Sequence, residues 1–80
     1  MGKKFNVVQV GLGPMGRIIA KLILNRENLS LNGVVDIDPN LKGKSLGELL
    51  EVEKGSNIII ESDLNGTLLR KEIDVIITVA

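Results

Sequence analysis

Three glycines at G-x-G-x-x-G spacing, Gly11-Leu12-Gly13-Pro14-Met15-Gly16, constrain this chain more than any other feature. The pattern alone is common. Here it follows a β-branched run, Phe5 to Val10, and opens a stretch in which Ile18, Ile19, Leu22 and Ile23 recur at helical spacing, with Arg17, Lys21 and Arg26 on the other side. That context predicts a strand, a tight turn and a helix whose first turn faces a phosphate group. Gly11 permits the turn, Gly13 lets the backbone approach a pyrophosphate that a Cβ would repel, and Gly16 lets the helix lie close to the strand. Free amides at the helix start, and the positive end of its dipole, attract the anion. Pro14 suits a first helical turn but has no N–H to donate, so its neighbours carry that burden.

The rest of the chain repeats this alternation. Asn25 to Asn28 closes the first helix. Leu29 to Ile37 is predicted as a second strand, and Asp38-Pro39-Asn40 as a turn. Ser45-Leu46-Gly47-Glu48 matches a capping box, which predicts a short helix over Leu46 to Glu53, closed by Gly55. Asn57 to Glu61 is the third expected strand. A third helix, capped by Ser62 or Asp63, runs through Glu72, and Asp74 to Ala80 is the fourth strand. Strand runs that are apolar on consecutive residues suit a parallel sheet covered on both faces. The expected fold is α/β of the Rossmann type: four parallel strands in order 3-2-1-4 with helices on both faces.

Composition removes several alternatives. At 80 residues the chain holds one domain. It has no Cys and no His, which excludes disulfides, thiolate or imidazole metal sites, a cysteine nucleophile and a Ser-His-Asp relay. Ten basic residues balance ten acidic ones, which leaves no electrostatic footprint for a nucleic acid. The single aromatic, Phe5, makes no base-stacking platform. Lys3 and Lys4 precede too short an apolar stretch for a signal peptide, and no segment is apolar enough to span a membrane. A cytoplasmic protein without nucleic-acid or membrane partners is the expectation.

Asp36 lies 20 residues beyond Gly16, at the expected C-terminal end of the second strand. A carboxylate there accepts hydrogen bonds from an adenosine ribose and repels a 2′-phosphate, which favours NAD over NADP. Asp38 is the fallback for that role, and Lys42 and Lys44 keep NADP open. Met15 and Arg17 read more simply, as a packing residue under the cofactor and a solvated helix residue. The candidate cofactor-binding set is Gly11, Leu12, Gly13, Pro14, Met15, Gly16 and Asp36.

Three segments together, Val8 to Arg17, Gly33 to Pro39 and Gly43 to Leu49, resemble the N-terminal region of the dihydrodipicolinate reductase family, including relatives that act as 2,4-diaminopentanoate dehydrogenases. The Met-Gly-Arg end of the loop is like the reductases, and the Gly-Leu-Gly opening is more like the dehydrogenases. The reductases usually carry one more residue in this loop. The resemblance implies an NAD(P)-dependent oxidoreductase of amino-acid metabolism acting on a small nitrogen-containing substrate. It assigns Gly11 through Gly16 and Asp36 to the cofactor, and no catalytic residue. In that family the substrate domain lies C-terminal to the matching region, so residues 1–80 are expected to be the N-terminal part of a cofactor domain. The fourth strand is then expected to offer an apolar edge to another copy or to a further domain. A non-catalytic nucleotide- or redox-sensing module, or an inactive fragment, are the alternatives.

Overall fold

A computed structural model describes residues 3–79. Strand β1 (Phe5–Val10) leads into helix α1 (Pro14–Leu24), followed by β2 (Leu29–Val35), α2 (Leu46–Leu50), β3 (Ile60–Glu61), α3 (Leu64–Arg70) and β4 (Val75–Thr78). All strand pairings are parallel, and the order is β3-β2-β1-β4. Three strands of four to seven residues, β2, β1 and β4, carry the sheet. The two-residue β3 extends it past β2.

The sheet is covered on both faces. Val7, Leu31 and Val34 pack with Ala20 and Ile23 of α1 and Leu46 and Leu50 of α2 in one apolar cluster. Val8 points the other way and lies under α3, where Gly33 separates it from the buried Thr67. A bulge between Val7 and Val8 makes this arrangement work. Val7 pairs with Leu31 but Val8 pairs with Gly33, so Asn32 is the extra residue and Gly33 turns toward α3. A Cβ on Gly33 would stand 2.9 Å from Thr67 Cγ2, so α3 packs at this distance only over a glycine. Fully buried side chains such as Leu12, Leu46 and Ile60 each contribute roughly 1.5–3 kcal/mol.

Element ends differ from the sequence expectation where polar groups intervene. Helix α2 stops at Leu50 and not Glu53, because Glu51 turns left-handed (φ 59°). Its N–H reaches Glu48 O while Val52 N–H reaches Gly47 O, the Schellman pattern that ends helices. Strand β2 stops at Val35, not Ile37. The Asp38 amide donates to Asp36 Oδ1 at 2.8 Å, which curls the chain out of the sheet and leaves Ile37 in solvent.

Strand β3 is Ile60–Glu61, not Asn57–Glu61. Ile58 N–H donates to Gly55 O and Ile58 O accepts from Leu46 N–H, so this stretch is used to tie down the turn after α2. Helix α3 ends at Arg70, not Glu72. Lys71 is extended, and Asn32 Nδ2 holds the Glu72 carbonyl out of any helical ladder. Asp63 is its N-cap by position but makes no side-chain cap bond. Strand β4 starts at Val75, because the Asp74 carboxylate accepts the Asn6 amide, and it ends at Thr78. Ala80, expected in that strand, lies outside the described residues.

Candidate functional site

The connection after β1 turns back between its two neighbouring strands. Gly11 N–H donates to Val35 O of β2, and Val79 N–H, just past β4, donates to Val10 O, each at 2.8 Å. The loop therefore stands where β1, β2 and β4 all end. One crossover from β1 leads to β2 on one side, and the last leads to β4 on the other, so this is the switch point of the sheet. Ligands of open α/β sheets bind outside the carboxyl ends of strands at such a point.

The three glycines do different work there. Gly11 has φ +107°, and a Cβ would overlap the Val79 carbonyl oxygen. A Cβ on Gly16, which is buried, would overlap the Gly11 carbonyl. Both glycines thus let backbone meet backbone. Gly13 is exposed, and a Cβ on it would meet nothing within 4 Å. It is the N-cap of α1, with no side-chain cap, and no acidic residue lies in the first turn. Arg17 N–H closes the first helical bond on Gly13 O, whereas the amides of Gly13, Met15 and Gly16 have no acceptor among the described residues. Pro14 at the helix start has no N–H, and Pro14 and Met15 are exposed. Three amides without an acceptor therefore lie at the positive end of an eleven-residue helix, beside the open space at Gly13.

Asp36 reaches this loop directly. Its Oδ2 accepts the Leu12 amide at 2.6 Å and its Oδ1 the Asp38 amide at 2.8 Å, while each oxygen keeps lone-pair capacity. Leu12 itself is buried, so it meets the site through backbone only. Asp38 accepts the Asn40 amide at 2.9 Å and so shapes the following turn.

Two contributors are not evident from the motif. Arg17, expected to be merely solvated, is exposed but donates from Nε to Leu12 O at 3.0 Å and braces the loop. Gln9 is fully buried in β1 and donates from Nε2 to Gly11 O at 3.0 Å and Gly16 O at 2.7 Å. The signal for it was one amide residue inside the otherwise apolar Val7-Val8-Gln9-Val10.

A broader hollow of about 700 Å³ lies at the opposite end of the strands, between Lys4, Leu29, Asn32 and Ile58. The Arg70 guanidinium at its wall is already paired with Glu61, and the switch point lies elsewhere. Among the described residues no group of His, Cys, Asp or Glu could hold a metal ion, and no helix is long and apolar enough to cross a membrane.

Sheet order, switch point and glycine loop together define a Rossmann-type nucleotide-binding unit. The family model for the N-terminus of dihydrodipicolinate reductase matches residues 5–79, and the chain belongs to that family of NAD(P)-binding domains. Among solved structures, the chain is similar to the crystal structure of RSP, a Rex-family repressor. The TM-score is 0.74 at 23% identity, over 98% of this chain and 34% of that one. That likeness is one of fold, and the chain spans about a third of the repressor's length. No curated protein matches the chain.

Proposed function

We propose that the chain is the cofactor-binding part of an NAD(P)-dependent oxidoreductase of the dihydrodipicolinate reductase kind, and that it binds NAD in preference to NADP. The observation that carries this is the bare N-terminus of α1. The amides of Gly13, Met15 and Gly16 have no acceptor among the described residues, and Gly13 is the one glycine of the loop where a side chain would meet only space. That cradle fits a diphosphate in shape and in sign of charge.

The residues divide the work. Gly11 through Gly16 hold the diphosphate with backbone groups. Asp36, already oriented by the Leu12 and Asp38 amides, accepts from the adenine-side ribose hydroxyls and repels a 2′-phosphate. Lys42 and Lys44 are exposed beyond it and are the groups that would soften this preference. Bound here, the dinucleotide supplies hydride chemistry, and the chain orients it. The path of its nicotinamide end runs past Val79.

Titration of NADH and NADPH, followed by cofactor fluorescence, tests this reading, and the chain's lack of Trp and Tyr keeps the background low. Tighter binding of NADH is expected. Equal or tighter binding of NADPH would reverse the cofactor preference, and no binding of either would end the reading.

A second reading is a redox-sensing module that binds the same cofactor without turnover. The fold likeness to a repressor favours it. It requires NADH and NAD⁺ to bind with clearly different affinities, which displacement of bound NADH by NAD⁺, read as the change in NADH fluorescence, measures.

A further inference from the structure

We infer that Gln9 is a positioning residue for the anion-binding loop, an inference that rests on the dinucleotide reading above. Its amide nitrogen bridges the carbonyls of Gly11 and Gly16, the first and last residues of the glycine hexapeptide. One buried side chain thus sets the distance across the turn. Gly16 is also where a Cβ would stand 3.3 Å from that nitrogen, so the missing side chain makes room for the clamp as well as for the helix.

The arrangement is not neutral packing. Gln9 is fully buried, and no donor among the described residues reaches its Oε1. Turning the amide over would aim that oxygen at two carbonyls, so the observed orientation is the only one that satisfies them. An aliphatic residue at this position, like Val7 beside it, would avoid an unpartnered buried acceptor. What glutamine adds is the pair of donor bonds to the loop. With both carbonyls drawn toward β1, the amides of Gly13, Met15 and Gly16 are held without an internal acceptor before any ligand arrives. Such preorganisation raises affinity by removing an ordering cost from binding.

Gln9→Met keeps the side-chain length and removes both donors. In the full chain it is expected to weaken NADH binding by about tenfold or more. In the ligand-free chain, the amide resonances of Gly11, Gly13, Met15 and Gly16 should shift and exchange faster with solvent, while those of Val34 and Val35 stay in place. Gln9→Glu provides rescue without a change of shape. Burial beside two carbonyl oxygens holds its carboxyl protonated well above the usual carboxylate range, so it keeps one donor until the pH is raised. Ionisation at alkaline pH removes that donor and the variant then behaves like Gln9→Met, while acidification restores the donor, the loop resonances and the affinity. Wild type and Gln9→Met carry the same charged neighbours of the loop, Asp36 and Arg17, and should show no such recovery.

Unchanged loop resonances and unchanged affinity in Gln9→Met would overturn the inference while leaving the cofactor reading intact. Loop resonances that respond to both variants in a chain that binds no NADH would uphold the clamp and overturn the cofactor reading. If Gln9→Met does not fold, the acid recovery of Gln9→Glu decides alone, and its absence refutes the clamp.

Discussion

The Asp36 carboxylate accepts the Leu12 amide at 2.6 Å, across 24 residues of sequence. The acidic residue at the end of β2 is therefore a structural partner of the glycine loop as well as a candidate ribose ligand. The two roles use different oxygen lone pairs, so they coexist. Asp36→Ala removes both and is expected to cost about 1–2 kcal/mol of stability, the loss of a charge-assisted bond that is only half-buried. NADH affinity should fall with it. Asp38→Ala should leave affinity nearly unchanged, because that side chain shapes the next turn. Thermal unfolding and cofactor titration of both variants check this, and the reverse ranking would move the ribose site to Asp38.

The glycines should separate binding from folding. Gly13→Val projects into open space from an extended backbone (φ −69°), so stability should stay within about 1 kcal/mol of wild type. Its NADH affinity should collapse, because the new side chain fills the cradle. Gly16→Ala and Gly11→Ala push a Cβ into backbone carbonyls and should destabilise the chain by about 2 kcal/mol or more. A Gly13→Val chain that binds NADH like wild type would show that the diphosphate sits elsewhere.

How far these properties were legible in the sequence follows from what each depends on. The strand-loop-helix start was legible because Val7, Val8, Pro14 and the glycines signal locally. Asp36 was legible by its distance from Gly16, but its bond to Leu12 is a long-range contact that no local pattern encodes. The same holds for Gln9, whose partners become neighbours only when the loop folds back on β1. The short β3 escaped for a related reason: Ile58-Ile59-Ile60 is as apolar as a strand of five, yet Leu46 and Lys44 engage its backbone before β2 can. The left-handed turn at Glu51 was illegible because nothing about glutamate announces it.

That turn offers a stabilising change. Glu51 holds φ 59° on the surface, a conformation that costs an L-residue about 1 kcal/mol and glycine much less. Part of the gain is lost to the greater freedom of glycine in the unfolded chain. Glu51→Gly should still add about 0.5 kcal/mol, a rise in Tm of roughly 2–4 °C for a domain of this size. Calorimetry or circular dichroism checks it, and a lower Tm would show that the Glu51 side chain contributes more than its backbone costs.

Gly33 and Thr67 should be energetically coupled where α3 packs on β2. The Cβ of Gly33→Ala meets Thr67 Cγ2 at 2.9 Å, whereas Thr67→Ser deletes that methyl and keeps the hydroxyl that bonds Glu61 Oε1 and Asp63 O. Each single change should destabilise, and the pair should cost less than their sum by about 0.5 kcal/mol or more. Additive effects in a double-mutant cycle would mean that the bulge at Asn32 relaxes to absorb the methyl.

The free side of β4 governs how the chain behaves at high concentration. β4 hydrogen-bonds only β1, so its outer backbone groups have no strand beyond them among the described residues. Val75 and Ile76 along it are 40% and 47% exposed. Such an edge templates pairing with another chain, and a formal net charge of zero gives no long-range repulsion to oppose it. The 80-residue chain is therefore expected to show an average mass that rises with concentration in sedimentation equilibrium. Ile76→Lys places a charge on the edge and should hold the chain as a monomer, with circular dichroism confirming that the fold survives. A wild-type chain that stays monomeric at high concentration would mean that the twist of a four-residue strand is protection enough.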